Sequence, residues 1–354
     1  MGVRSAVAKA LTNSDIAELL AREADNNTGI LVRAFRRATR SAFLWPEQVR
    51  DLLAANRELT ELHGVGPFIT KQIHRWIDNP PELPLKVPAI RRDFLALADA
   101  RKLLRQTASW PNLVRGDLQM HTRWSDGSGT VTDMAAAARE RGYEYIAITD
   151  HSKGLKIAGG IDELRLREQG LEIAKVNQSI SLAPAKLTVL RSIEMNLNPR
   201  GDGDMDPRSL SQLDLVLGSF HSVLRRKEDQ TPRYLAAIRN PHIQILGHPR
   251  GRIYNYRLGL KADWARVFAE AARTGKAVEI DCYPDRQDLN LSLLKLARKE
   301  GVRISLGTDA HHPWQLEFIE LGLAAALKAK IPAERIINFM ALSELKRWVA
   351  RIRR

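Results

Sequence analysis

Residues 145–151 read Tyr-Ile-Ala-Ile-Thr-Asp-His, four apolar positions in succession closed by polar ones. A short apolar run without alternation predicts a strand buried on both faces. The design recurs at Asp117–His121, Leu187–Ile193, Leu215–Ser219, Ile243–Gly247, Ala277–Asp281 and Arg303–Gly307. Helical spacing fills several of the gaps, at Met134–Arg141, Ala262–Thr274 and Leu291–Gly301. Thr130 and Asp133 are placed as a capping box for the first of these helices. Seven strands joined mostly by helices predict an α/β fold with a parallel sheet closed into a seven-stranded barrel.

The ends of these runs carry the chemistry. His121, His151, His221 and His248 each close or follow one, Glu194 follows the third, and Asp309 and His311 follow the last. Asp126 lies just beyond the first, in Trp-Ser-Asp-Gly. In a barrel of parallel strands every carboxyl end opens on one face, so residues as distant as His121 and His311 converge there. A lone histidine at a strand end is more often a hydrogen-bonded structural residue than a ligand. Eight Asp, Glu and His residues in the same kind of position argue against coincidence. Imidazoles and carboxylates suit Zn, Mn or Fe. Asp150 is placed to orient an imidazole, while His63, His74 and His242 lie off the pattern. Metal ions bound there would polarise a substrate oxygen and activate water. Lys153, Arg250, Arg252 and Arg286 lie close behind the runs and are candidates for phosphate oxygens.

Residues 13–79 read differently, with apolar positions three and four apart: Ile16, Leu19, Leu20, then Ile30, Leu31, Ala34, Phe35, Ala38. Asn13 or Ser14 is the expected first cap. Asn79-Pro80-Pro81 ends this block, and 89–107 reads as a bridging helix. The expected domains are 1–80, a linker over 81–115, and 116–354. Gly64-Val65-Gly66 sits between two helical runs, where glycines permit a tight turn whose N–H groups approach a phosphate. Lys71 and Arg75 would add contacts, and such binding would be independent of sequence.

The composition agrees. Lys plus Arg is 55 against 41 Asp plus Glu, a net charge of +14, which favours a polyanionic partner. Hydrophobic residues make up 44 % of 354, ample for a core and for more than one domain. The single cysteine, Cys282, excludes a disulfide framework and a cysteine zinc site. No apolar run approaches a membrane span, and the opening residues lack a secretory or myristoylation pattern. The expectation is a cytoplasmic or nucleoid-associated monomer.

The stretches GDLQMHTRWSDG (116–127), YIAITDHSKGLKIAGG (145–160), SIEMNLNPRGDGDMD (192–206), LDLVLGSFHSV (213–223), TPRYLAAIRNPHIQILGHPRGR (231–252), VEIDCYPDRQDLN (278–290) and SLGTDAHH (305–312) together resemble a PHP (polymerase and histidinol phosphatase) domain. The likeness is to the version fused to bacterial family X DNA polymerases. It implies a distorted seven-stranded barrel holding up to three divalent metals (Zn, Mn or Fe), with Mn supporting activity. By position, one metal takes His121, Glu194 and Asp309. A second takes Glu194, His221 and His248, and a third Asp126, His151 and His311. Glu194, Asp309 and His221 form the catalytic set. The family's first motif is His-x-His, but this chain has Gln119-Met120-His121, which makes Gln119 a weak added ligand at best. The glycine turn with its helices resembles the helix-hairpin-helix DNA-end-binding domain of the same polymerases, across roughly 10–79. Only about 35 residues separate Pro80 from Gly116, too few for the polymerase palm and fingers. Gln72 stands where relatives carry the lyase lysine, so neither activity is carried over.

The resemblance implies a phosphoesterase acting on DNA 3′ ends, as a 3′–5′ exonuclease or end-processing enzyme in repair. A separate DNA polymerase or other repair proteins would be its partners, at ends or gaps. The alternatives are a small-molecule phosphatase of the histidinol-phosphate type and a non-catalytic DNA-binding accessory protein, which Gln119 alone favours.

Overall fold

The computed structural model describes residues 11–107, 109–181 and 187–353. The chain divides into two compact units between Leu103 and Leu104, within the stretch expected as a linker.

The first unit is helical. α1 (Asn13–Asn26) and α2 (Gly29–Ala42) pack with Ile16, Leu20, Phe35 and Ala38 buried. Thr12, rather than Asn13 or Ser14, caps α1. Its hydroxyl accepts from Asp15 N at 3.2 Å and the Asp15 carboxylate accepts from Thr12 N at 2.9 Å. Asn13 is committed elsewhere, donating to Glu47 O at 2.8 Å and accepting from Val49 N at 2.9 Å. α3 (Val49–Ala54) and α4 (Pro67–Asp78) flank the glycine turn. The helix expected over 89–107 is shorter. A 3₁₀ turn at Ala89–Arg91 is followed by Asp93 in the left-handed region (φ 60°), which interrupts the helix before α5 (Leu97–Arg105).

The second unit alternates strand and helix. β1 (Gly116–Asp117), β2 (Tyr145–Ile148) and β3 (Thr188–Arg191) form one parallel sheet. β4 (Glu194–Asn196), β5 (Leu217–Ser219), β6 (Ile245–Leu246), β7 (Ala277–Asp281) and β8 (Arg303–Gly307) form a second. Among the described residues the architecture is thus eight parallel strands in two sheets, where a single seven-stranded barrel was expected. The third run accounts for the extra strand. Its first half pairs with β2 (Val189 with Ile146), and beyond Ser192–Ile193 the chain pairs with β5 (Glu194 with Leu217). Isolated parallel bridges, Met120 with Ala310 and His151 with Glu194, link the sheets.

Helices cover the strands, beginning with α6 (Val131–Glu140), which carries the expected Thr130–Asp133 capping box. α7 (Glu163–Ser181) precedes β3, and the short α8 (Pro207–Ser211) precedes β5. α9 (Thr231–Arg239), α10 (Trp264–Thr274) and α11 (Leu291–Glu300) lead into β6, β7 and β8 in turn. α12 (Ile319–Lys328) and α13 (Leu342–Ile352) follow β8. α13 sends Leu345, Trp348 and Val349 into the core formed by Leu118, Tyr145, Leu217, Ile245 and Ala277. With no polar face to spare, these strands are held at one depth, which sets the height of their carboxyl ends.

Candidate metal centre

The eight carboxylates and imidazoles singled out in the sequence come together at the carboxyl ends of the strands. Glu194 opens β4 and is fully buried. Its Oε1 lies 2.6 Å from His248 Nε2 and 3.3 Å from His221 Nε2. Its Oε2 lies 2.9 Å from His151 Nδ1 and 3.5 Å from His121 Nε2. His121 Nε2 is also 2.9 Å from Asp309 Oδ1. Asp126 Oδ1 sits 3.3 Å from His311 Nε2 and 3.6 Å from His151 Nε2. The His121 ring stacks on His151 and His311, with centroids 4.3 and 4.4 Å apart.

Three groups of donors could each hold an ion: His121, Asp126, His151 and His311; His151, Glu194 and His221; and His121, Glu194 and Asp309. The second differs from the sequence expectation, since His151 rather than His248 joins Glu194 and His221. The His151–Glu194 bridge brings those two side by side, while His248 bonds Glu194 from its other oxygen. Four buried atoms of this cluster, His121 Nδ1, His151 Nδ1, His221 Nε2 and Glu194 Oε2, make no hydrogen bond. Buried polar atoms are normally paired. His151 Nδ1 and Glu194 Oε2 are close yet misaligned for a hydrogen bond. Lone pairs aimed past one another in an imidazole–carboxylate set fit a divalent cation.

Second contacts orient the rings. His221 Nδ1 lies 3.1 Å from Asn196 Oδ1, and His311 Nδ1 lies 2.7 Å from Asp309 O. Oxygen acceptors hold the proton on Nδ1 and leave each Nε2 facing the carboxylates. His248 (φ 21°) and Asp309 (φ 53°) adopt the left-handed region, a strain that tertiary contacts must hold.

Charge is strongly coupled here. Burial pushes Glu194 up, but the charges of His151, His221 and His248 outweigh it and hold it well below the usual carboxylate range. Burial pushes His248 down, yet Glu194 raises it to about 9. His311 is likewise raised to about 9, by Asp126 and Asp309 against burial. Asp126 is held at about 2, burial being overcome by His311, His121 and His151. Burial and then the His151 and His311 charges push His121 down.

The remaining candidates lie in varied places. Arg286 reaches the centre, pairing with Asp309 and lying 3.7 Å from Asp281. Arg252 is buried, with its backbone N 3.4 Å from Asp288 Oδ2. Arg250 is turned away, donating to Leu258 O at 2.9 Å. Lys153 pairs with Glu163 at 2.6 Å at the surface. Gln119 lies outside the donor groups. Its amide, with Nε2 toward Glu279, donates to the two carboxylate oxygens at 2.6 and 2.9 Å. Asp150 orients no imidazole. It accepts from Thr122 N (2.8 Å), Ser125 Oγ (2.6 Å) and Gln169 Nε2 (2.7 Å), and so fixes the loop that carries Asp126.

Glu279, on the sixth run, escaped the sequence reading, while Asp281 at the end of that run was visible as a strand-end acid. Both are buried beside the ligands. Burial raises both well above the carboxylate range, helped by the charge of Asp281 at Glu279 and by that of Asp309 at Asp281. Their place on that run was visible; their role as a second layer was not. Tyr256 and Trp314, 58 % and 48 % exposed, follow His248 and His311 in the chain, Tyr256 on a loop and Trp314 in the 3₁₀ segment Pro313–Phe318. Arg225 lies 4.6 Å over the Tyr256 ring.

In the first unit Gly64 has φ 76° and Gly66 precedes α4 with open space at its missing Cβ. Lys71 and Arg75 are exposed on α4, next to Phe68, whose ring lies 5.5 Å from Phe35 of α2. Gly64 packs against Ser41, so a side chain there would collide with it.

The donor set could hold divalent metals, and likeness to known proteins makes the chain a phosphate-ester hydrolase. Residues 117–283 match the family described as PHP domain. The chain is 31 % identical over 233 residues to a probable phosphatase of Photobacterium profundum, covering 88 % of that protein. It belongs to the PHP-domain family. It is also 33 % identical over 273 residues to the DNA polymerase/3′-5′ exonuclease PolX of Bacillus subtilis, across 76 % of this chain. The match spans 46 % of that relative's length. The histidinol phosphate phosphatase of Lactococcus lactis, solved with zinc, L-histidinol and phosphate, aligns at 18 % identity and a TM-score of 0.43. That alignment covers 62 % of this chain and 94 % of that one. No helix among the described residues is long and apolar enough to cross a membrane.

Proposed function

We propose that this chain hydrolyses phosphate esters at the 3′ ends of DNA, as an exonuclease or end-processing enzyme. Residues 1–80 bind DNA, 81–115 connect, and 116–354 carry the reaction. The observation that carries the hydrolytic part is Glu194, buried with both oxygens facing imidazoles. The DNA part rests on the glycine turn of the first unit, on the net charge of +14, and on the likeness to PolX, which extends over 76 % of the chain.

His121, Glu194 and Asp309 would hold one metal, and Glu194, His221 and His248 a second, with His151 able to join the latter. Asp126, His151 and His311 would hold a third. Zn, Mn or Fe bound there supplies Lewis acidity and an activated water. Glu194, Asp309 and His221 form the catalytic core of the set. The protein's own part is orientation. Asn196 and the Asp309 carbonyl keep His221 and His311 in the tautomer that presents Nε2. Arg286, beside Asp309, offers a planar fork for phosphate oxygens. Tyr256, with Arg225 over its ring, and Trp314 offer faces on which unpaired bases stack. Gly64–Gly66, Lys71 and Arg75 would hold backbone phosphates without reading sequence.

A small-molecule phosphatase is the second reading, favoured by relatives such as the Photobacterium protein, 88 % of which this chain covers. The test is incubation with Mn²⁺ and a 5′-labelled oligonucleotide, beside a His221→Ala/His248→Ala double variant. Shortening from the 3′ end that is lost in the variant supports the proposal. Turnover of a small phosphomonoester without shortening moves the assignment to the second reading. No turnover of either leaves DNA binding as the chain's role.

A further inference from the structure

A cavity of about 420 Å³ opens on the second unit among α7, α8 and the end of β3. Its polar lining is Arg167, Arg191, Arg208, Ser209, Gln212 and a single acid, Glu163. That acid is already engaged. Glu163 Oε1 accepts from Lys153 Nζ at 2.6 Å and from Asp206 N at 3.1 Å. The lysine's charge offsets the carboxylate. Asp206 and Asp214 lie close by but accept from backbone, Asp206 from Arg208 N and Ser209 N at 2.9 and 3.0 Å and Asp214 from Arg191 N at 2.9 Å, so the three guanidinium groups share one hollow with no carboxylate paired to them. Among the described residues none of the three has an ion-pair partner within 4.0 Å.

Arg191 is the least ordinary of them. It ends β3, three residues before Glu194, and is half-buried. Its Nε is buried with no hydrogen-bond partner. The guanidinium lies against α7 at Gly170, where a Cβ would come 3.0 Å from Nε. Glycine inside a helix is unfavourable relative to alanine. Here it makes room for a charged group, not for apolar packing. Like charges held together around a polar hollow, with a hydroxyl and an amide beside them, match the planar-fork recognition of phosphate.

We propose that this cavity is a phosphate-binding subsite, separate from the metal centre, that takes a phosphodiester of a nucleic-acid strand or a free phosphate through Arg167, Arg191 and Arg208. The strand version rests on the DNA reading above; the free-phosphate version does not. None of the three arginines belongs to the metal centre.

Two variants test it in the full chain. Arg167→Ala/Arg208→Ala alters exposed positions, and Arg191→Lys keeps the charge but removes the fork. Thermal shift is followed against inorganic phosphate, and anisotropy against a labelled single-stranded oligonucleotide at several salt concentrations. Phosphate at the metal centre raises the melting temperature of every form, so the difference between wild type and variants reads the cavity alone. The double variant is expected to lose roughly half of the phosphate-induced rise. It should bind the oligonucleotide about tenfold more weakly, with a salt slope shallower by about 2. Loss of the phosphate response alone assigns the site to free phosphate. Loss of oligonucleotide affinity alone assigns it to strand phosphates. If both responses match wild type, the subsite does not exist. Failure of the DNA-end reading would show separately, as wild-type protein that leaves oligonucleotide length unchanged.

Discussion

Glu194 Oε1 lies 2.6 Å from His248 Nε2, and both residues are buried. The pair is set up by topology, because β4 and β6 flank β5 in one parallel sheet. The same carboxylate turns its other oxygen to His151, 2.9 Å away. Removing its charge therefore affects both sides at once. Glu194→Gln should lose bound metal and at least about a hundredfold of phosphomonoester turnover. Metal content by mass spectrometry alongside the rate checks this; unchanged content would remove Glu194 from the ligand set.

Gln119 is expected to matter for stability more than for metal. Its amide is the partner of buried Glu279. Gln119→Ala takes one donor from that carboxyl group, which keeps His248 N at 2.7 Å, and opens a void, at a cost of about 2–3 kcal/mol. Metal content should stay at the wild-type level. Urea unfolding and metal analysis on the same sample separate the two effects.

Lys276 gives a pH signature away from the centre. It is buried, donates to Asn240 O, and burial lowers its pKa from 10.5 to about 8. Between pH 8 and 10.5 the unfolded chain binds more protons at this group than the folded one, so stability rises with pH across that window. Below pH 8 the full penalty applies, up to ~3 kcal/mol. Lys276→Met should be more stable than wild type at pH 7, and its advantage should shrink steadily from pH 8 to 10.5. An advantage independent of pH would mean that the lysine is not buried as a charge.

Tyr256 and Trp314 should discriminate between substrates. Tyr256→Ala/Trp314→Ala removes two stacking faces worth about 1–3 kcal/mol per base. KM for a single-stranded oligonucleotide should rise about tenfold or more, while turnover of a small phosphomonoester stays unchanged. Equal effects on both substrates would make the rings structural.

The glycine turn is checked by charge reversal. Lys71→Glu/Arg75→Glu, both exposed on α4, should weaken oligonucleotide binding and reduce its salt dependence. Hydrolysis of a small phosphomonoester should be unaffected. Binding at wild-type strength would place the DNA contact elsewhere.

Much of this protein is written in local sequence. Apolar runs such as Tyr145–Ile148, short and rich in β-formers, read as strands buried on both faces, because no polar face is left to meet water. The convergence of the run ends follows as directly, since parallel strands point their carboxyl ends one way. Thr130 and Asp133 announced α6 because a cap is a contact over three residues. What local pattern could not decide was partner choice. The run through Leu187–Ile193 reads as one strand, yet just beyond it the chain changes partner, from β2 to β5, which makes eight strands of seven runs among the described residues. Gln119 next to His121 reads as a weakened ligand, but Glu279, 160 positions on, captures its amide. Arg250 and Arg286 look alike in sequence. Backbone carbonyls take the first, while the second lies beside Asp309. Burial, pairing and charge coupling depend on distances between residues far apart in the chain, and the packed tertiary structure alone sets those distances.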